Sequence, residues 1–281
     1  MLFSYIFNNM SNKNLQDKPI GVFDSGIGGL TVVRSIMKHL PHENIVYFGD
    51  TARVPYGPKS AEVVRQYAAQ DTKFLAEKGV KMIVVACNTV SSVALEIVQK
   101  NSRVPVIGVI DPGARAAVKV TRNKRIGVIG TVGTIRSDAY TNSIRQADPS
   151  VVVISQPCPL FVPLAEEGWI DHKATELIAR EYLFPLKLER IDTLVLGCTH
   201  YPLLAKVIEN VFEGKAALVD SAEATAHEVI RLLDEHNLRN PSTMKANIQF
   251  FVSDIPYKFE EIGERFLGRK LGRVRKVEGF F

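Results

Sequence analysis

The sequence has few cysteines and no long apolar stretch. Three cysteines occur in 281 residues, and no C-x-x-C pair is present. So few thiols, odd in number, do not predict a disulfide framework or a zinc site, and we expect no bound metal. No apolar run approaches the roughly 18 residues that a membrane-spanning helix needs. The apolar segment 1–7 lacks a basic flank and is short for a secretory signal, which predicts a cytoplasmic protein with no membrane association.

Common nucleotide-binding motifs are also missing. No P-loop pattern occurs, and the glycine-rich segment 24–30 (DSGIGGL) does not have the G-x-G-x-x-G spacing. We therefore expect neither a dinucleotide cofactor nor nucleotide hydrolysis by that route. The segment remains open to two interpretations: a turn that presents backbone N–H groups to an anion such as a substrate carboxylate, or a tight turn only.

The composition is that of a globular protein, with 46% hydrophobic and 23% charged residues. The net charge of +5 is modest, and much of the excess lies near the carboxyl terminus. A basic patch there would suit a nucleic acid, but such charge runs usually belong to solvated helices and tails, so we expect no requirement for nucleic acid. The basic residues concerned are Arg265, Arg269, Lys270, Arg273, Arg275 and Lys276.

Short apolar runs rich in β-branched residues alternate with segments of helical spacing, which predicts parallel βαβ units. Apolar residues recur with a period of 3.6 in segments 61–78 and 205–212, and a longer helix is predicted to run through Leu233. The predicted strands cover residues 20–23, 45–48, 82–86, 104–110, 126–129, 151–154, 194–196, 217–219 and 248–252.

Segments of the first half recur in the second half. The segment 20–26 (IGVFDSG) aligns with 126–132 (IGVIGTV) at a separation of 106 residues, close to the 111 residues between Cys87 and Cys198. Two matches at similar separations indicate an internal duplication. The predicted fold class is therefore α/β, with two similar doubly wound parallel-sheet domains and an active site in the cleft between them.

Proline and glycine after Ile110 mark the first crossing between the two halves, and the second half closes near Asp220. The residues after this point are too few for a third domain and should return to the first. We expect a loose tail over residues 1–18, a first domain of residues 19–110 plus 222–281, and a second domain of residues 111–221.

Cys87 and Cys198 each follow an apolar strand-like run and precede small polar residues. The carboxyl ends of parallel strands are where open α/β sheets build their sites, so each half places one thiol at a site edge. Cys158 lies between two prolines, and we expect it to be a packed thiol.

Charged groups accompany each of the two thiols. Asp24 ends the first strand, where its carboxylate can accept or orient the proton of Cys87, and His200 lies two residues after Cys198. Two facing thiols suit proton removal from one face of a carbon and proton return to the other, which inverts a stereocentre. A cysteine hydrolase that used Cys198 and His200 would leave Cys87 unexplained.

Several other polar residues lie in loops beside these strand ends. Tyr56 fits either a lid or a surface turn, and Pro55 and Gly57 flank it. Four side chains are placed either to cap a helix or to face a ligand, and capping is the simpler expectation for each one. They are Asn88, Thr89, Thr131 and Thr199.

Taken together, these motifs resemble the glutamate racemases, within the cofactor-independent aspartate/glutamate racemase family. The resemblance runs from about Pro19 to at least His236. It is carried by the segments 21–30 (GVFDSGIGGL), 54–57 (VPYG), 86–89 (ACNT) and 197–202 (GCTHYP).

The resemblance implies interconversion of L- and D-glutamate without a cofactor, in supply of bacterial peptidoglycan, by a homodimer. It implies that Cys87, assisted by Asp24, deprotonates D-glutamate, and that Cys198, assisted by His200, deprotonates L-glutamate. An aspartate racemase and a non-catalytic amino-acid-binding protein are the alternatives. The implied substrate-binding residues are Asp24, Ser25, Pro55, Tyr56, Gly57, Asn88, Thr89, Thr131, Glu167, Thr199 and His200.

Overall fold

The computed structural model describes residues 15–254 and 259–279, which form two parallel β-sheets with flanking helices. The strands are β1 (Ile20–Asp24), β2 (Ile45–Gly49), β3 (Met82–Val85), β4 (Val106–Gly108), β5 (Arg125–Gly130), β6 (Val152–Pro157), β7 (Thr193–Gly197), β8 (Ala217–Asp220), β9 (Ile248–Val252) and β10 (Val274–Lys276). The helices are α1 (Leu30–His39), α2 (Ala61–Glu77), α3 (Asn88–Val93), α4 (Leu95–Asn101), α5 (Ile110–Val120), α6 (Val132–Arg136), α7 (Ala139–Ala147), α8 (Phe161–Glu166), α9 (Lys173–Leu188), α10 (Ala205–Phe212), α11 (Ser221–Glu235) and α12 (Phe259–Leu267).

The two sheets repeat one strand order. The larger sheet has the order β10-β9-β2-β1-β3-β4, and the smaller one has the order β6-β5-β7-β8. Every neighbouring pair is parallel, and the run β2-β1-β3-β4 corresponds strand for strand to β6-β5-β7-β8. The registers also agree, since Phe23 pairs with Val85 in one sheet and Ile129 with Leu196 in the other. The predicted pair of similar α/β halves is confirmed in this topology.

Both faces of each sheet are covered by apolar side chains. Successive residues of β1 belong to different hydrophobic clusters. Val22 lies in one and Phe23 in another, and both side chains are fully buried. In β5, Ile129 and Val128 divide in the same way between two clusters. Side chains that alternate between two buried faces explain why these strands are continuous apolar runs rather than half-polar ones.

The nine predicted strands are present, with small differences at their ends. The fourth ends at Gly108, because α5 already begins at Ile110. Pro112 lies in the first turn of that helix, where a missing N–H group leaves no hydrogen bond unmade, so the proline does not interrupt it. The sequence analysis missed β10, which is short and has two exposed basic residues.

The strands of the larger sheet come from residues 20–108 and 248–276, and those of the smaller sheet from residues 125–220. We keep the predicted domain boundaries as a proposal on this basis. Of the expected tail, residues 1–14 lie outside the described part. Leu15 packs against the main apolar cluster, and the Gln16 carbonyl accepts a hydrogen bond from Lys81 Nζ at 2.6 Å, so the end of this segment is held in place.

Two of the basic residues near the carboxyl terminus contact other side chains of the protein. Lys276 pairs with Asp254 at 2.8 Å, and the Arg275 guanidinium lies over the Phe251 ring, 5.8 Å from its centroid. Arg265 is half-buried. Across residues 15–254 and 259–279, no helix is long and apolar enough to cross a membrane.

One ion pair, Lys81 with Glu43, is buried at the amino-terminal edge of the larger sheet. The Lys81 Nζ atom lies 2.5 Å from Glu43 Oε2, and both side chains are almost completely buried. Lys81 also donates to the Leu238 carbonyl at 2.8 Å, and Glu43 Oε1 accepts from the Asn240 N–H group at 2.7 Å. The pair thereby joins the starts of two strands to the segment that follows α11.

Replacing Lys81 with Met should strongly destabilise the protein, because it leaves the Glu43 carboxylate buried without its counter-charge. We expect the free energy of unfolding to fall by about 3–5 kcal/mol, measured by urea denaturation. The double variant K81M/E43Q should recover part of this loss. As a control, Glu96→Gln removes a pair with Lys100 that is exposed on both sides, and should cost about 1 kcal/mol or less. Equal losses for the two single variants would contradict the prediction.

Candidate active site

The two repeated cysteines lie at the carboxyl ends of equivalent strands and face one cavity. Cys87 follows β3 and Cys198 follows β7. Each of these strands pairs with the first strand of its own half, β1 or β5. Both cysteines line a single small cavity between the two sheets. The tertiary structure therefore brings together two thiols that are 111 residues apart in the chain.

The cavity is lined largely by residues that the sequence analysis selected. It measures about 40 Å³, and the two cysteines are only 5% exposed. A space of this size holds only a few water molecules, so an amino acid fits only after the lining rearranges. The lining comprises Ser25, Val54, Pro55, Tyr56, Gly57, Cys87, Asn88, Thr89, Thr131, Val162, Cys198, Thr199 and His200.

The glycine-rich turn after β1 packs directly against the loop that carries Cys198. A Cβ atom at Gly28 would lie 2.1 Å from Thr199 Oγ1 and 2.6 Å from His200 Nδ1, so only glycine fits there. The Thr31 hydroxyl lies 3.2 Å from the Thr199 carbonyl oxygen and donates to it. The Gly26 N–H group donates to Asp24 Oδ2 at 2.9 Å, so this turn holds the protein's own carboxylate.

A chain of polar contacts extends from Cys198 through His200. The Cys198 Sγ atom lies 3.8 Å from His200 Nδ1, and His200 Nε2 lies 2.9 Å from Glu166 Oε1. Burial lowers the pKa of His200, but its contacts with Cys198 and Glu166 outweigh burial and raise the pKa to about 10. His200 is therefore an imidazolium at neutral pH, and its positive charge lies beside the Cys198 Sγ atom.

The surroundings of Cys87 favour its protonated form. Burial, and next the charge of Asp24, raise the pKa of Cys87 to about 12, so this cysteine is a thiol at neutral pH. Its Sγ atom lies 3.5 Å from the Ser25 hydroxyl. Burial also raises the pKa of Asp24, although the charge of His200 and the N–H groups of the glycine-rich turn oppose this rise. The two thiols thus have different charged neighbours, Asp24 for Cys87 and His200 for Cys198.

The charged neighbours of the two thiols lie at positions where the two halves differ in sequence. Asp24 corresponds to Gly130 in the second half, and His200 corresponds to Thr89 in the first half. Ser25 and Thr131, by contrast, are both hydroxyl residues at equivalent positions. Both halves therefore have the thiol, but each has a charged residue at a position where the other half has an uncharged one.

Hydrogen bonds between the two halves orient several of the polar lining residues. The Tyr140 hydroxyl donates to Asn88 Oδ1 at 2.8 Å, and the Thr89 and Thr131 hydroxyls are 3.0 Å apart. Of the four candidate capping residues, Thr131 caps its helix with its side chain by accepting from the Thr134 N–H group. Within residues 15–254 and 259–279, Asn88 Nδ2 and Asp24 Oδ1 are buried without a hydrogen-bond partner; Asn88 lines the cavity, whereas Asp24 lies just before the lining residue Ser25 in the chain.

Tyr56 is neither a surface turn residue nor a group with a free hydroxyl. Its side chain is 1% exposed, its ring lines the cavity, and its hydroxyl donates to Asp50. The neighbouring Gly57 carbonyl accepts from the Gly133 N–H group at 3.1 Å, which closes this side of the cavity against the second half.

The structure does not bring Glu167 to the cavity. Glu167 lines a separate surface pocket with Trp169, while the preceding residue, Glu166, contacts His200. Glu166 and Tyr140 are thus two functional candidates that sequence analysis missed. The residue pattern offered no signal for Tyr140, and for Glu166 the only one was its position next to Glu167. Cys158 is completely buried in the main apolar cluster, as expected for a packed thiol.

Within the described ranges, one cluster of side chains could bind a metal ion, and this cluster lies away from the cysteines. Ligand atoms of His39, Glu223 and His227 lie within 4.8 Å of one another. Glu223 already pairs with Lys38 at 2.9 Å and with His39 at 2.7 Å, so its oxygens are satisfied without a metal.

Comparisons with known proteins identify the family of this chain. The sequence profile of the family described as Asp/Glu/Hydantoin racemase matches residues 21–229. A glutamate racemase of Syntrophus aciditrophicus is 54% identical over 268 residues, which is 95% of this chain and 99% of the relative.

Solved structures give the same result. The glutamate racemase of Francisella tularensis in complex with D-glutamate has a TM-score of 0.89 and 41% identity, covering 94% of this chain and 98% of that one. A glutamate racemase isoform of Bacillus anthracis has a TM-score of 0.90, with the same identity and coverage. The chain belongs to the Asp/Glu/hydantoin racemase family and, within it, to the glutamate racemases.

Proposed function

We propose that the protein interconverts L- and D-glutamate with Cys87 and Cys198 as its two acid/base groups. One observation carries the proposal: both thiols line one buried cavity, at equivalent positions of a duplicated fold, beside unlike charged partners. The Francisella relative, 41% identical, was solved with D-glutamate bound. This supports glutamate rather than aspartate as the substrate.

The proposed reaction begins with Cys198 as a thiolate and Cys87 as a thiol. The Cys198 thiolate, stabilised by the His200 imidazolium, takes the α-proton of L-glutamate on one face. The Cys87 thiol then donates its proton to the opposite face of the carbanion, which gives D-glutamate. The products on the protein are a Cys198 thiol and a Cys87 thiolate, so D-glutamate is the substrate of the reverse reaction. No cofactor is needed to balance these steps.

The remaining cavity residues would hold the substrate. The Asn88 amide is buried with its Nδ2 donor unpaired among the described residues, so it suits a substrate carboxylate. Tyr140 fixes which way this amide points, because its hydroxyl donates to the Asn88 oxygen. The hydroxyl groups of Ser25, Thr131 and Thr199 are further donors for the two carboxylates of glutamate.

We also propose the setting in which the enzyme works. All three cysteines are free, which suits the reducing cytoplasm, where D-glutamate would be supplied for peptidoglycan synthesis. We propose a homodimer, whose molar mass by light scattering would be twice the 31.2 kDa of the chain.

The protein should racemise glutamate without any added cofactor. Purified, metal-free protein is incubated separately with L-glutamate and L-aspartate in deuterated water, with circular dichroism and NMR of the α-proton as readouts. We expect the glutamate dichroism to decay to zero with α-deuteration, and aspartate to stay unchanged. Exchange with neither substrate would favour a binding protein, and exchange with aspartate alone would favour an aspartate racemase.

Replacing either Cys87 or Cys198 with Ala should abolish racemisation, because one face of the α-carbon then lacks its only proton donor or acceptor. The readout is the same circular dichroism assay with both enantiomers. Cys158→Ala is the matched control, since that thiol is buried outside the cavity, and it should retain most activity. Substantial racemisation by either active-site variant would rule out the two-thiol scheme.

His200 should remain protonated at pH 8, because its contacts with Cys198 and Glu166 raise its pKa to about 10. The measurement is NMR of protein with ¹⁵N-labelled histidine, with the ring signals assigned from the spectrum of His200→Asn. Glu166→Gln removes one of the two contacts and should lower the His200 pKa. A neutral His200 ring at pH 8 in the unaltered protein would contradict the assigned charge state.

A further inference from the structure

The last described helix, α12, crosses from the larger sheet to the polar chain behind Cys198. The helix packs on α1, with Gly263 so close to it that a Cβ atom would lie 3.2 Å from a Leu30 methyl group. Two later residues of the same helix, Arg265 and Phe266, contact the half that carries Cys198. The helix is thus anchored on one half and touches the other.

Arg265 holds the carboxyl end of α8, the helix that carries Glu166. One guanidinium nitrogen, Nη1, donates to the carbonyl oxygens of Ala165 at 3.2 Å and Glu166 at 3.0 Å. The last carbonyl groups of a helix have no partner within it, and a cation there also interacts favourably with the helix dipole. Arg265 therefore caps a helix of the opposite half at the residue whose carboxylate contacts His200.

The turn after α8 is shaped for this arginine. Gly168 has a φ of +75°, which favours glycine, and a Cβ atom there would lie 2.8 Å from the Arg265 Cζ atom. The guanidinium thus lies directly against the backbone of this turn. Any other residue at position 168 would push the guanidinium away from the two carbonyl groups.

The neighbouring Phe266 restrains His200 itself. The ring centroids of Phe266 and His200 are 4.9 Å apart, with the planes at 77°, and the phenylalanine is fully buried. An edge-on aromatic contact of this kind limits rotation of the imidazole. Adjacent residues of α12 therefore hold both members of the His200–Glu166 pair, one through its ring and the other through its backbone.

We propose that Arg265 is a positioning residue for proton transfer at Cys198: by capping α8 it holds Glu166, and through Glu166 the imidazole of His200, in line with the thiol. The inference rests on the proposed two-thiol mechanism. Arg265 itself touches neither the cavity nor either cysteine, so it acts through His200 alone. The effect should fall on the Cys198 step and spare the Cys87 step, whose partner is Asp24.

The test replaces the donor while keeping the bulk of the side chain. Arg265→Met removes the hydrogen bonds but retains an apolar stem, and we expect kcat to fall about 10-fold or more with little change in KM, because small displacements of a catalytic group are costly. Arg265→Lys should restore much of the loss, since a single nitrogen makes both contacts in the native protein. Arg269→Met is the matched control, because Arg269 is exposed four residues further along the chain.

Deuterium isotope effects distinguish a positioning role from general destabilisation. With α-deuterated L-glutamate the deuteron is removed by Cys198, and with α-deuterated D-glutamate it is removed by Cys87. If Arg265→Met slows only the Cys198 step, the substrate isotope effect on kcat/KM should rise with the L-isomer and fall with the D-isomer. A merely structural loss would lower kcat and leave both isotope effects unchanged.

Each result has a definite meaning. Activity of Arg265→Met equal to that of Arg269→Met, or a loss with unchanged isotope effects, overturns the positioning role. Arg265→Lys without recovery overturns it as well. Failure of the underlying mechanism is separate and would appear as racemisation by Cys198→Ala. Thermal denaturation of each variant shows whether the folded fraction is the same in every assay.

Discussion

The close packing of the glycine-rich turn against the Cys198 loop is the contact on which the site depends. It joins the carboxyl ends of two sheets, and it is possible only because Gly28 has no side chain to meet Thr199 and His200. Two parallel sheets that face each other in this way present their strand ends to one volume. A duplicated fold can thus place one thiol on each side of a carbon atom, which a single sheet cannot do. Burial of the cavity follows from the same contact.

Burial makes the charges of this site effective. In a water-filled cleft, Asp24 and His200 would act weakly on their cysteines, because solvent screens each interaction. Inside the closed cavity the charge of Asp24 adds to burial in raising the pKa of Cys87, and His200 Nδ1 lies 3.8 Å from the Cys198 Sγ atom. The proposed mechanism needs the two thiols to differ at the start of each turnover, because one must accept a proton while the other donates one. The two halves therefore match in fold and differ in charge.

The parts that orient the site come from both halves. Tyr140 of the smaller-sheet half orients Asn88, and α12 of the larger-sheet half holds Glu166 and His200. Each half thus contributes side chains that orient polar residues of the other half. Because these supports cross the cleft, the site is complete only while the halves are together. Any separation of the halves would therefore also release the side chains that they orient.

The sequence by itself determined the strands, the duplication and most of the cavity lining. Strand ends could be read from β-branched runs and turn residues, which are local signals, and matched segments such as 20–26 and 126–132 showed which strands are equivalent. In parallel sheets the carboxyl ends share an edge, so Cys87, Cys198 and their neighbours could be assigned to one site. Only the tertiary structure decided that Glu166, and not Glu167, contacts His200, because consecutive helical residues point about 100° apart. It also decided the contacts of Tyr140 and Arg265, because contacts between segments distant in the chain leave no periodic pattern in the sequence.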